Sequence, residues 1–286
     1  MRLRRFPEAI EELSFLDPPS DAVGRVVAKV VPPGRAKDLL SGTWLGHALH
    51  PLLTDLPIGF WTSAWMLDIV GGRQSQAAAR QLVGLGILAA VPTAASGASD
   101  WSDTAGSERR VGLVHGAANS VALAAFVASY LHRRKGNRAK GIAWTWVGAA
   151  AATVGGHLGG HLIGALGVGV DNTVFEVGPQ DWLDVGAATD AREGCPHVVD
   201  AAGVPVLIVR QGLRLLALAD TCTHRGGPLH EGTVDGGCVT CPWHGSVFRL
   251  EDGEVERGPA TIPQPRYDAR ERHGRIEIRS FTPPAR

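Results

Sequence analysis

At 286 residues the chain is longer than a typical single domain of roughly 100 to 200 residues, so two domains are expected. Basic and acidic residues number 28 each, giving a formal net charge of zero, which leaves no global field to attract nucleic acid and excludes it as the expected partner. Charged residues make up only 20% of the chain and are unevenly spread, with none between positions 141 and 170, as in membrane segments rather than soluble helices.

Residues 1–41 contain Glu8, Glu11, Glu12 and Asp17 and no apolar run of signal-peptide length, so they read as a cytosolic or juxtamembrane leading segment. Residues 42–171 carry four apolar stretches, approximately 44–70, 82–99, 111–131 and 141–170, each reaching or approaching the ~20 residues that span a bilayer. They predict an all-α transmembrane four-helix bundle, since a soluble helix shows a polar face and the last two stretches show almost none. The first stretch is the least clean, because it holds Asp55, Asp68, Pro51 and Pro57, whose polar groups must face the bundle interior or water. In the fourth, Gly155 and Gly159, Gly156 and Gly160, and Gly160 and Gly164 form small-x-x-x-small pairs that let helix backbones approach closely.

Basic residues do not settle the orientation. Arg73, Arg80, Arg133, Arg134, Lys135, Arg138 and Lys140 favour one sense, while Arg25, Lys29, Arg35, Lys37, Arg109 and Arg110 favour the other.

Histidines in or beside these stretches are functional candidates by depth alone: His47 and His50 on the first, His115 on the third, His157 and His161 on the fourth. At helical spacing, His47 and His50 would share a face, as would His157 and His161. Three readings stay open. A b-type haem could be held by two imidazoles drawn from His50, His115, His157 and His161, the histidines could bond across helices or to backbone freed by proline, or they could line a quinone or divalent-metal site. The stretch also resembles a bacterial family of predicted four-helix membrane proteins of unassigned function. The resemblance rests on His50-Pro51-Leu52-Leu53, Asp55-Leu56-Pro57-Ile58-Gly59, Gly159-Gly160-His161-Leu162 and Gly167-Val168-Gly169-Val170. It implies topology and no chemistry.

After position 170 the texture changes. Residues 172–190 read as an acidic, loop-like linker, and residues 191–286 as a small all-β domain of short alternating runs at 204–210, 213–219, 238–240, 246–250, 253–256 and 275–278. Within that domain lie Cys222-Thr223-His224 and, after sixteen intervening residues, Cys241-Pro242-Trp243-His244. A 2Fe-2S centre with two thiolate and two imidazole ligands needs two loops, each giving a Cys to one iron and a His to the other. A zinc finger fits less well, since its first pair is commonly spaced two to four residues apart and Cys222 and His224 enclose one. The glycine-bearing flanks, Gly226-Gly227-Pro228-Leu229 and Gly245-Ser246, suit the tight turns that aim backbone N–H groups at sulfur. Cys222, His224, Cys241 and His244 are thus the candidate ligands of both cofactor and metal.

These two motifs closely resemble the Rieske ferredoxin family over roughly residues 181–279, and Gly258-Pro259-Ala260 is similar to the family's proline loop beside the cluster. The resemblance implies a small antiparallel β domain with the cluster at one tip and the histidines as the more exposed ligands. It also implies a hydrogen bond from Ser246 to cluster sulfur. Quinol-oxidising relatives carry an extra cysteine in each loop, where this chain has Gly227 and Trp243, so no loop disulfide is expected. They place a tyrosine where this chain has Phe248, and a missing donor to sulfur implies a potential in the lower half of the Rieske range of about −150 to +300 mV. Cys238 reads as a small buried residue of a strand, and Cys195 as unassigned.

The sequence therefore predicts a membrane-anchored single-electron carrier with a 2Fe-2S cluster, with haem b or a quinone in the bundle as a further relay. The alternative is a redox sensor whose cluster state controls docking to a membrane partner. An oxygenase would need an added mononuclear iron held by two histidines and a carboxylate, and none is read after His244. The expected partners are the bilayer and a redox protein, either reductase or acceptor. Because clusters are loaded before export, the Rieske domain is expected on the cytoplasmic side of a bacterial cytoplasmic membrane.

Overall fold

The computed structural model describes residues 3–281. They form two compact units: one takes the chain up to Pro32 together with Ala48–Val168, and the other takes Pro33–His47 together with the chain from Gly169 onward.

The described residues contain seven α-helices rather than four. Ahead of the bundle come α1 (Arg5–Glu11) and α2 (Asp17–Val30), the latter carrying Pro18 and Pro19 in its first turn, where no intrahelical N–H is needed. The short α3 (Arg35–Ser41) belongs to the second unit. Four long helices follow, α4 (Leu49–Val70), α5 (Gln76–Trp101), α6 (Gly106–Arg134) and α7 (Arg138–Gly164), with α4 packed along α5 and α6 along α7. The expectation of four spans is corrected: among the described residues, α5 and α6 alone are both long and apolar enough to cross a membrane. Asp55 and Asp68 dilute α4, and Arg138, Lys140, glycine and histidine dilute α7.

Trp61 of α4 stacks on Phe126 of α6 with ring centroids 4.0 Å apart, among Ala64, Val83, Ala90 and Ala122. Gly155 and Gly159 do lie at a helix contact, against Asn119 and His115, whereas Gly156, Gly160 and Gly164 face open space. One small-residue pair therefore packs and the other two do not. Asp68 ends up inside the unit, where the buried guanidinium of Arg133 grips its carboxylate and also donates to Ser129 Oγ at 3.1 Å and Thr145 Oγ1 at 2.9 Å. Two further basic residues are likewise engaged, Arg109 with Asp21 at 2.9 Å and Arg110 with both carboxylate oxygens of Asp17.

The second unit holds two antiparallel sheets. The first orders its strands β1 (Leu183–Ala187), β10 (Arg275–Ser280), β9 (Arg266–Arg272), β4 (Arg214–Ala219), β3 (Pro205–Gln211) and β2 (Pro196–Asp200). The second orders β5 (Thr233–Asp235), β6 (Cys238–Thr240), β7 (Val247–Arg249) and β8 (Val255–Arg257). Because strand side chains alternate, β3 sends Val206 and Ile208 into one core and Leu207 and Val209 into another, which also contains Cys222, Cys241, Leu229, Val239 and Phe248. Two boundaries differ from the expected ones. The stretch read as a linker supplies β1, which pairs Leu183 with Ile278 and sends Val185 to the first core. Residues 33–47 group with the β domain, because Asp38 and Thr43 bond to the turn at Gly258 and Ala260.

Candidate metal centre

The first candidate loop leaves β4 and returns through β5; the second joins β6 to β7. Each is closed by its own backbone. In the first, the Cys222 N–H donates to Gly227 O at 2.9 Å and the Gly226 N–H to Cys222 O at 2.8 Å. In the second, the Cys241 N–H donates to Ser246 O at 2.8 Å and the Gly245 N–H to Cys241 O at 3.1 Å. Gly226 and Gly245 have φ of 73° and 75°, the left-handed region where a side chain is strained. Gly227 is needed for space, since a Cβ there would lie 2.9 Å from Cys241 Sγ and 3.1 Å from the Trp243 ring.

The closed loops bring the four candidates together as two pairs. Cys222 and Cys241 are buried with their sulfurs in hydrogen-bonding contact, and the rings of His224 and His244 lie 5.1 Å apart at 84° to each other, Nδ1 of each being buried. Backbone N–H groups of His224 and Arg225 point at Cys222 Sγ, and those of Trp243 and His244 at Cys241 Sγ. Accepting the Cys222 hydrogen bond and those N–H groups holds the Cys241 thiol down to about 7, while sharing that proton, and burial, push Cys222 up. Burial first, then the charges of His244 and Lys37, push His224 down to about 3, so its imidazole is neutral and able to ligate at pH 7. Among the described residues no three His, Cys, Asp or Glu side chains converge on a single-ion site. A thiol pair together with an imidazole pair would suit a binuclear cluster, which Cys222, Cys241, His224 and His244 would hold.

Ser246 Oγ accepts the Ala260 N–H at 3.0 Å, which ties the second loop to the turn containing Pro259 and leaves the hydroxyl proton available to another acceptor. Several supports were not legible in the sequence. Buried Gln264 accepts the Thr223 N–H at 3.1 Å and donates to Ala219 O at 2.8 Å, clamping the first loop. Asn172 donates to His224 O at 3.0 Å, and Asp220 accepts the His230 N–H at 2.7 Å with His230 Nδ1 at 2.6 Å from its other oxygen. Only the position of Asp220, two residues before Cys222, offered a signal; Gln264 and Asn172 act across distances that no motif records.

Among the described residues the five membrane histidines do not converge on one metal site. His47 precedes α4 and is exposed, so it shares no helical face with His50, and His157 is also exposed. His161 Nε2 lies 2.7 Å from Glu11 Oε1. His50 and His115 do meet, with ring centroids 6.4 Å apart, but their Nδ1–H groups donate to Thr93 O and Gly155 O, and His115 Nε2 accepts from Asn119. The nitrogen that a haem iron would need on His115 is thus engaged, and the expected haem set does not fit.

Comparison with known proteins agrees with the two-part division. Residues 181–268 match the Rieske [2Fe-2S] domain family, and residues 46–172 match a family of predicted membrane proteins, DUF2231. The chain is 35% identical to ferredoxin CarAc of Metapseudomonas resinovorans over 100 residues, covering 35% of this chain and 94% of that protein. It is 33% identical to the anthranilate 1,2-dioxygenase ferredoxin subunit of Burkholderia cepacia, over 34% of this chain and 91% of that protein. Among solved structures, a complex of reduced oxygenase and oxidised ferredoxin in carbazole 1,9a-dioxygenase matches at 33% identity and a TM-score of 0.34, covering 36% of this chain and 98% of that chain.

Proposed function

We propose that this chain, which belongs to the Rieske [2Fe-2S] domain family over residues 181–268 and to the DUF2231 family of predicted membrane proteins over residues 46–172, is an electron-transfer protein anchored in a membrane. The observation that carries the reading is that two backbone-closed loops pair Cys222 with Cys241 and His224 with His244. When bound, the 2Fe-2S cluster supplies a one-electron couple. The protein's part is to hold both thiolates and both neutral imidazoles in place, aim N–H groups at sulfur, and leave the histidine edge near enough to the surface for a partner to dock.

The two named relatives are ferredoxins, one of them a dioxygenase subunit, which supports a partner that donates or accepts single electrons. Anchoring is supported by the outward faces of the long helices, where Ile58, Ile69, Leu88, Val91, Val121, Trp146 and Ile163 are exposed; so much apolar surface on one unit calls for a covering. The Rieske domain is placed on the cytoplasmic side, where clusters are loaded. A relay through haem b or quinone is not part of this reading: His115 Nε2 already accepts from Asn119, His161 Nε2 lies against Glu11, and His157 faces outward.

Detergent-extracted protein tests the reading by absorption and paramagnetic-resonance spectra in both redox states. We expect a Rieske signal on reduction and no Soret band. Bound zinc with no paramagnetic signal overturns the carrier function.

A further inference from the structure

The helix α2 turns its polar side inward and its valines outward. Asp17, Ser20, Asp21 and Gly24 recur at three- and four-residue spacing and so share the side that packs on the helical unit. Ser20 and Gly24 are buried there, Arg109 of α6 donates to Asp21 at 2.9 Å, and Arg110 donates to both carboxylate oxygens of Asp17 and to Glu11 O. A Cβ on Gly24 would meet the Arg109 guanidinium carbon at 3.5 Å, which shows how closely the two helices approach. The other side carries Val23, Val26 and Val30, the last two 62% and 74% exposed, with exposed Arg25 and Lys29 on its flank. Just ahead of the helix Phe15 is 69% exposed, although its neighbour Leu16 packs with Ile10, Val111, Leu158 and Leu162.

A surface helix of a water-soluble fold is arranged the opposite way, with its apolar stripe on the core and its charges in water. The inversion is accounted for if the medium beyond α2 is not water. Its position agrees. The arginines that hold it, Arg109 and Arg110, immediately precede Val111, where the apolar run of α6 begins, and α6 is long and apolar enough to cross a membrane. That fixes α2 at the end of a span, the depth at which hydrocarbon gives way to headgroups. We propose that α2 is an interfacial helix that binds anionic phospholipid: Val23, Val26 and Val30, together with Phe15, enter the acyl edge of one leaflet, and Arg25 and Lys29 pair with the anionic headgroups beside it. The proposal rests on the membrane reading above and adds a lipid site to it. A second copy of the chain fits this face less well, because two such faces brought together would crowd basic groups of one sign.

The test places a nitroxide on the valine face of the full-length protein, as Val26→Cys with Cys195→Ser, oxidised and reconstituted in vesicles of phosphatidylcholine with or without phosphatidylglycerol. Cys195→Ser alone supplies the labelling background. The nitroxide should be more accessible to oxygen, which partitions into the bilayer, than to a water-soluble nickel chelate, and should sit deeper when phosphatidylglycerol is present. In detergent, the phosphatidylglycerol concentration giving half of the spectral change should rise about fivefold for each of Arg25→Gln and Lys29→Gln. Easier access for the nickel chelate than for oxygen puts the face in water and overturns the proposal. So does a label shielded from both, with copies crosslinked through position 26, which makes a second copy the occupant. Equal titrations of native and glutamine variants, or no difference between the two lipids, reject the anionic headgroup. Should Val26→Cys not fold, Val30→Cys is read in its place. Release of the protein from membranes by an alkaline wash would instead defeat the parent reading, whereas a water-exposed label on a protein that stays defeats this proposal alone.

Discussion

At the residue scale, Phe248 bears most directly on how the proposed cluster would behave. It is fully buried on β7, opposite Val239 of β6 and Val255 of β8, in the core that also contains both candidate thiols. A phenyl ring there excludes water and offers no donor to sulfur. Phe248→Tyr is expected to raise the midpoint potential if its hydroxyl reaches the cluster, and to cost about 1–3 kcal/mol of stability if the hydroxyl is left buried without a partner. A redox titration and a thermal melt on the same preparation separate these outcomes, and a native potential near the top of the Rieske range would refute the low value expected from the missing donor. Cys238 shows a limit of residue-level reading: it does lie in a strand, but is only half-buried.

At the scale of elements, the ion pair between α4 and α6 explains a feature that looked like a flaw. Asp68 interrupts an apolar stretch and Arg133 reads as an orientation signal, yet the two hold each other inside the helical unit with Ser129 and Thr145 completing the network. Removing one partner leaves the other buried without its counter-charge. Arg133→Leu is therefore expected to destabilise the unit by about 3–5 kcal/mol, and the double variant Arg133→Leu with Asp68→Leu to recover much of the loss. Thermal melts of the solubilised proteins check both, and equal melting temperatures for native and single-variant protein would show that the pair contributes little. Arg109 and Arg110 are bound to α2 in the same way, so a count of basic residues by loop mixes free charges with neutralised ones.

At the scale of the whole molecule, the helical unit and the β unit are separate compact bodies, and the chain passes between them more than once, since residues 33–47 join the β unit before α4 begins. The proposed placement predicts that the protein stays with membranes through an alkaline wash. It also predicts that an impermeant maleimide labels exposed Cys195 in broken cells but not in intact ones. Release by the wash rejects anchoring, and labelling in intact cells puts the β domain on the outer side.

Local spacing was sufficient for the division into an apolar helical part and a small β part, and it singled out Cys222, His224, Cys241 and His244 as candidates, because helical length, strand alternation and ligand spacing are properties of neighbouring residues. Ser246 was singled out by resemblance, and its hydroxyl oxygen accepts the Ala260 N–H, a contact that no motif records. The Gln264 clamp, the Asn172 brace, the burial of Lys37 and the backbone partners of His50 and His115 were decided only in three dimensions. Each depends on which distant backbone groups meet, and a hydrogen bond across forty or two hundred residues leaves no period or motif in the chain.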